Sequence, residues 1–215
     1  MTFGRRQALL LPVLISAAAC STGEGQGEVT SERLYVDRCW NGEFDLDPDF
    51  FGANPFTPAR GATELMIRVQ RGDNIEEVSD GLFVLVKDVE AIRADLLGSA
   101  LPIGLPPGVS PPGVPDPLVL DPPLVSMSLY LNRTCHAVNA TLYAIEGTIT
   151  FSSLFSGDRN EQDADDRLTE ASFQATFADP RQLTADGAVP ADQGSLVEGW
   201  FRFYFQRGQP AQPFP

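Results

Sequence analysis

The sequence predicts a mainly β protein: an antiparallel β-sandwich, or a small barrel, of seven to eight strands with one short helix and a proline-rich crossover. Three observations carry this. Apolar residues recur at every second position through most of the chain, the period of a half-buried strand. A single stretch has helical spacing. Nine of the 22 residues from Pro102 to Pro123 are proline, which bars that segment from a central strand and favours an extended surface path.

In chain order, Leu34 to Leu46 is the first strand-forming region. Leu65, Ile67 and Val69 then alternate with Glu64, Met66, Arg68 and Gln70, and Leu82 to Val86 forms a short apolar run. Val89, Ile92 and Leu96 fall at i, i+3 and i+7 between Asp88, a candidate N-cap, and Gly98, a candidate C-cap, so a helix is expected over 89–97. After the proline-rich crossover, Val125, Met127, Leu129 and Leu131 alternate with Ser126, Ser128 and Tyr130. Tyr143 to Phe151 follows, with Gly147 as a bulge or a point of close approach. Ala171 to Phe177 and Val197 to Phe205 complete the set. In each alternating run one face turns inward and the other meets water or a partner.

Residues 1–20 follow a different logic. Arg5 and Arg6 precede an uncharged run from Ala8 to Ala19, ending in Ala17-Ala18-Ala19-Cys20. Twelve helical residues reach about 18 Å, short of the roughly 30 Å hydrocarbon layer, so the run suits an export signal better than a membrane span. The segment resembles the signal of bacterial lipoprotein precursors, whose lipobox of small and aliphatic residues ends in an obligatory cysteine. Ala17 departs from that pattern, in which leucine is commonest. The resemblance implies cleavage before Cys20, acylation (palmitate or a similar chain) on Cys20, and export to the envelope. Ser21, where precursors retained at the inner membrane carry Asp, implies outer-membrane sorting in a double-membrane bacterium. Arg5-Arg6 also fits a twin-arginine signal. The expected organisation is a signal peptide over 1–19, a flexible tether over 20–31 and one β-sandwich domain over 32–215. The tether reading rests on three glycines and no large apolar residue except Val29 in residues 21–31.

With Cys20 lipidated, Cys39 and Cys135 remain. An oxidising compartment favours their pairing as a disulfide, the alternative being two buried thiols. Neither they nor His136 have zinc-site spacing.

The chain carries 29 acidic against 15 basic residues, a formal charge of −14. That excludes a sequence-independent nucleic-acid binder, which needs a basic surface to displace counterions. There is no P-loop, dinucleotide fingerprint or G-x-S-x-G elbow. The expected role is therefore non-catalytic: a lipid-anchored envelope protein that binds or supports an envelope protein or glycan. Two alternatives stand beside it, a glycan-acting hydrolase using paired carboxylates and a calcium-stabilised adhesion module. Calcium would draw on Asp158, Glu161, Asp163, Asp165 and Asp166, although EF-hand spacing fails there. Asp45, Asp47 and Asp49 form a second, shorter acidic run, and Arg71-Gly72-Asp73 spells an adhesion tripeptide. Trp200, Arg202 and Tyr204 share one parity of the last strand and form the candidate ligand face.

Overall fold

A computed structural model describes residues 25–57, 61–72, 79–110, 112, 123–135 and 138–206. Among the described residues ten strands make one sheet: β1 (Gly25–Val36), β2 (Trp40–Leu46), β3 (Phe50–Phe56), β4 (Glu64–Gln70), β5 (Gly81–Val86), β6 (Ala100–Pro102), β7 (Val125–Cys135), β8 (Val138–Ser153), β9 (Leu168–Ala178) and β10 (Ser195–Tyr204). Their spatial order is β2-β1-β10-β9-β8-β7-β5-β4-β3, with β6 paired to β8 off this path. Every strand pair is antiparallel. A short helix, α1 (Val89–Ala91), widens into a turn of π-helix over Ile92–Leu96, and α2 (Ala164–Arg167) is a single turn before β9.

The expected β class and antiparallel pairing hold, but the strand count is higher and the two-sheet sandwich is replaced by one sheet curled into a half-barrel. The twist of successive strands accumulates until the two flanks approach. Phe51 of β3 stacks on Phe203 of β10 at 5.9 Å between ring centres, and Phe51 also packs against Gly25 at the start of β1. The concave side holds the core: Leu34, Leu65, Ile67, Leu82, Val84, Leu129, Phe151, Phe177, Phe201 and Phe203 are all buried there.

The tether expectation fails over residues 25–31, which are strand: Gly25 to Thr30 pair with Phe203 to Glu198 of β10. Their glycines are packing devices. A Cβ on Gly27 would sit 2.7 Å from the Trp200 carbonyl, so the bare backbone lets β1 close on β10. Two further strands escaped the alternation. Phe50–Phe56 contains Pro55, and Ala100–Pro102 is only three residues long. The region Leu34–Leu46 is a hairpin end, with a turn at Asp37–Cys39.

Gly147 adopts φ +141° beside a register shift between Ala144 and Glu146, joining bulge and close approach in one residue. The expected helix starts where its cap requires, with Asp88 Oδ1 accepting from the Ala91 amide at 2.9 Å. Its far end is marked by Gly98 at φ +76°. The crossover begins against the sheet: Leu101 and Ile103 are buried, and Ile103 bridges to Val125.

The helix and the β8–β9 connection close one end of the curl. Gly157 packs on Thr63, Arg159 donates to the Pro55 carbonyl at 2.7 Å, and Phe155 stacks on Phe205 at 4.1 Å. β1 begins at this closed end, because Gly25 pairs with Phe203 near the end of β10. Among the described residues no helix is long and apolar enough to cross a membrane.

Candidate functional site

The strand parity of β10 places Trp200, Arg202 and Tyr204 on the convex face while Phe201 and Phe203 fill the core. Trp200 stands 40% exposed, flanked across strands by Glu28 and Ser172. The guanidinium of Arg202 is committed. It pairs with Glu170 at 3.3 Å, donates to the Tyr204 hydroxyl at 3.1 Å and lies 5.3 Å from the centre of that ring. The face is a flat strip with one open indole and a tethered cation.

The acidic loop is built on its own backbone. Glu161 accepts from the amides of Gln162 and Asp163, and from Ser156 Oγ. Asp158 Oδ1 accepts from the Asn160 amide, Asp163 caps α2 through the Asp165 amide, and Asp166 pairs with Arg93. These carboxylates turn the chain and cap the closed end. Among the described residues, no three His, Cys, Asp or Glu side chains converge as a metal site would require. Asp49 likewise accepts from the Gly72 amide, holding the β2–β3 turn to the end of β4. His136 and Asp73 lie outside the described residues, as does the segment Met1–Cys20.

A shallow groove of about 780 Å³ crosses β2, β1 and β10. Glu32, Glu43, Asp45 and Glu198 line it, with Arg33, Phe44 and Leu196. All four carboxylates are exposed to water.

A smaller and more apolar cavity, about 280 Å³, lies on the convex face of β4, β5, β7 and β8. Its walls include Met66, Phe83, Leu85, Tyr130, Tyr143 and Pro106 at the start of the crossover, with Ser126, Ser128 and Thr141 as polar groups. Around it the convex face is unusually buried. Phe50, Phe83 and Tyr130 are at most 8% exposed, and Gln70, Ser126 and Arg68 at most 3%. Phe83 and Tyr130 meet edge to face at 6.5 Å, and the Arg68 guanidinium lies 5.4 Å from the Phe83 ring centre. Burial lowers the pKa of Arg68 from its ordinary value.

Alternation alone placed Met66, Arg68 and Gln70 toward water or a partner. The signal that could have found this site is the run Leu82-Phe83-Val84-Leu85-Val86, apolar on both parities and hence a strand covered on both faces. A scan against protein-family models, a search of curated proteins and a search of solved structures each found no match.

Proposed function

We propose that this chain is an exported lipoprotein, anchored through Cys20 to the outer membrane of a double-membrane bacterium, that binds a small ligand non-catalytically on the convex face of its sheet. The observation that carries the binding role is the half-open, mostly apolar depression between Met66, Phe83, Leu85, Tyr130 and Tyr143, because small-molecule sites are concave, mostly apolar and furnished with a few polar groups. The address rests on the lipobox-like end of Met1–Cys20. Several acyl chains on Cys20 would hold a domain that lacks any described membrane-spanning helix.

Pairing of Cys39 with Cys135 belongs to the same reading. Its support is topological. Tyr35 bonds to Ser195, Ser195 pairs with Phe177, and Ala178 pairs with Tyr143, so the turn after β1 and the end of β7 overhang the same end of the sheet.

Mass analysis of the protein extracted from membranes tests the anchor. The expected product begins at an acylated Cys20, and Cys20→Ala is expected to move the protein out of the membrane fraction. A product that starts at Met1 overturns it. A hydrolase is the second reading, favoured by the four carboxylates of the larger groove. Cleavage of an envelope glycan that is lost in Glu43→Gln or Glu198→Gln would establish it.

A further inference from the structure

The convex-face cavity has an apolar side and a hydroxyl side, and the strand register shows where they meet. One row across the sheet runs from Met66 of β4 through Leu85 of β5 to Ser126 of β7. The next runs from Phe83 of β5 through Ser128 of β7 to Tyr143 of β8, and a third pairs Tyr130 of β7 with Thr141 of β8. All of these residues line the cavity. Wherever a row crosses from β5 to β7, purely apolar side chains give way to ones that carry a hydroxyl. Rows lie roughly 7 Å apart along a strand and neighbouring strands about 4.8 Å apart, so a flat guest seated on the β4–β5 side has hydroxyls along one edge. Ser128 stands at the centre of that edge, half-buried, with Phe83 on one flank and Tyr143 on the other. Among the described residues that line the cavity, none is charged. Arg68 is not one of them, but its guanidinium lies 5.4 Å from the centre of the Phe83 ring.

We propose that this cavity takes an uncharged aromatic molecule with a hydroxyl or carbonyl group on one edge, its ring over Met66, Phe83 and Leu85 and its polar edge bonded to the hydroxyls of β7 and β8. This rests on the binding role assigned above and names its ligand class. A hydroxyl both donates and accepts, so a row of them suits a neutral polar edge of either kind. Phe83 and Tyr130 already meet edge to face at 6.5 Å, and a flat aromatic guest extends that packing. A sugar would carry hydroxyls onto the β4–β5 side, where Met66, Phe83 and Leu85 offer them no partner. An anion would leave water for a wall without a lining cation, under the repulsion of a net charge of −14. A cation is drawn by that net charge, but over Phe83 it would meet the like charge of Arg68.

The test presents one ring system in three charge states at pH 7: 2-naphthol, 2-naphthoate and 2-naphthylmethylammonium. It uses the full chain carrying Cys20→Ala, so that neither acyl chains nor detergent take up the probe, and reads binding by calorimetry. Naphthol is expected to bind at least about tenfold tighter than either charged analogue. Ser128→Ala is expected to weaken naphthol by about three- to tenfold, the worth of one hydrogen bond, and to leave 2-methylnaphthalene within about twofold. Leu85→Trp is expected to weaken every probe by filling the cavity. A charged analogue that binds within tenfold of naphthol, or better, overturns the ligand class and leaves the binding role standing. Failure of all the probes to bind overturns both. Naphthol affinity unchanged in Ser128→Ala removes the hydroxyl edge from recognition, and affinity unchanged in Leu85→Trp moves binding to another site; either result overturns the proposal. If Leu85→Trp does not fold, the loss of naphthol but not of 2-methylnaphthalene affinity in Ser128→Ala locates the site.

Discussion

The rings of Phe51 and Phe203 stack at 5.9 Å across the place where the two flanks of the sheet meet. Both are buried, and the start of β1 lies against them, where Gly25 has no Cβ to push Phe51 away. No continuous ladder closes that seam, so side-chain packing does. Phe51→Ala or Phe203→Ala is expected to cost about 3–5 kcal/mol, read as a shift of the urea midpoint. A loss below about 1 kcal/mol at both sites would mean that the flanks are held by something else.

Gly147 and Gly98 separate two reasons for a glycine. Gly98, at φ +76°, has open space around it, so Gly98→Ala is expected to cost about 1–2 kcal/mol for the backbone conformation alone. Gly147 combines φ +141° with a virtual Cβ only 2.4 Å from the Gln174 carbonyl. Gly147→Ala is expected to cost clearly more, because β9 must move as well. Paired thermal melts of the two variants check the order.

Three carboxylates predict how stability falls in acid. Burial pushes the Asp179 carboxyl up, but the hydrogen bonds and charge of Arg181 outweigh it and hold the pKa below the ordinary 3.8. Glu90 shows the same contest, with burial outweighed by hydrogen bonds from Thr63, and ends below 4.5. Asp186 is lowered by the Thr184 hydroxyl. For each, the unfolded chain takes up a proton at a higher pH than the folded one. Their contribution is therefore present above the ordinary carboxylate range and lost as pH falls through the lower folded values. Arg181→Ala is expected to raise the Asp179 pKa in an NMR titration, and Asp179→Asn to reduce the stability lost between pH 5 and about pH 3. An unchanged titration in Arg181→Ala would refute the pairing.

The early start of β1 changes how an anchored domain would sit. Four residues lie between Cys20 and Gly25, and the five Cα-to-Cα steps reach at most about 18 Å. Gly25 lies at the closed end of the curl, with the acidic β8–β9 connection. In the lipidated protein, a spin label at Asp158 is expected to lie nearer the bilayer than one at Arg38. A ten-residue Gly/Ser insertion after Gly25's predecessor, Glu24, is expected to erase the difference. Equal depths without the insertion would rule out a fixed orientation.

Reduction tests the proposed Cys39–Cys135 link. The oxidised chain is expected to be 2 Da lighter than its reduced form, and reduction to cost up to about 4–5 kcal/mol by loop entropy, less any native strain. Two thiols that react with alkylating reagent in the unfolded, unreduced chain would dismiss the bridge.

Much of this molecule was legible in the order of its residues because side-chain direction on a strand is a local property. Alternation identified β4, β7, β9 and β10, assigned Phe201 and Phe203 inward and Trp200 outward, and marked Asp88 and Gly98 as the helix ends. The proposed export signal, also read from a linear pattern, lies outside the described residues. What alternation cannot encode is which strand lies beside which. A sandwich and a curled sheet share the same period, and only the accumulated twist and the meeting of Phe51 with Phe203 distinguish them. The glycines at 25 and 27 resembled a linker because their partners, Phe51 and the β10 backbone, lie far away in the chain. Arg68 resembled a solvated strand residue until pairing set it beside Phe83 on a covered convex face. Burial of a charge depends on what the whole chain brings over it, so that decision belonged to the tertiary structure.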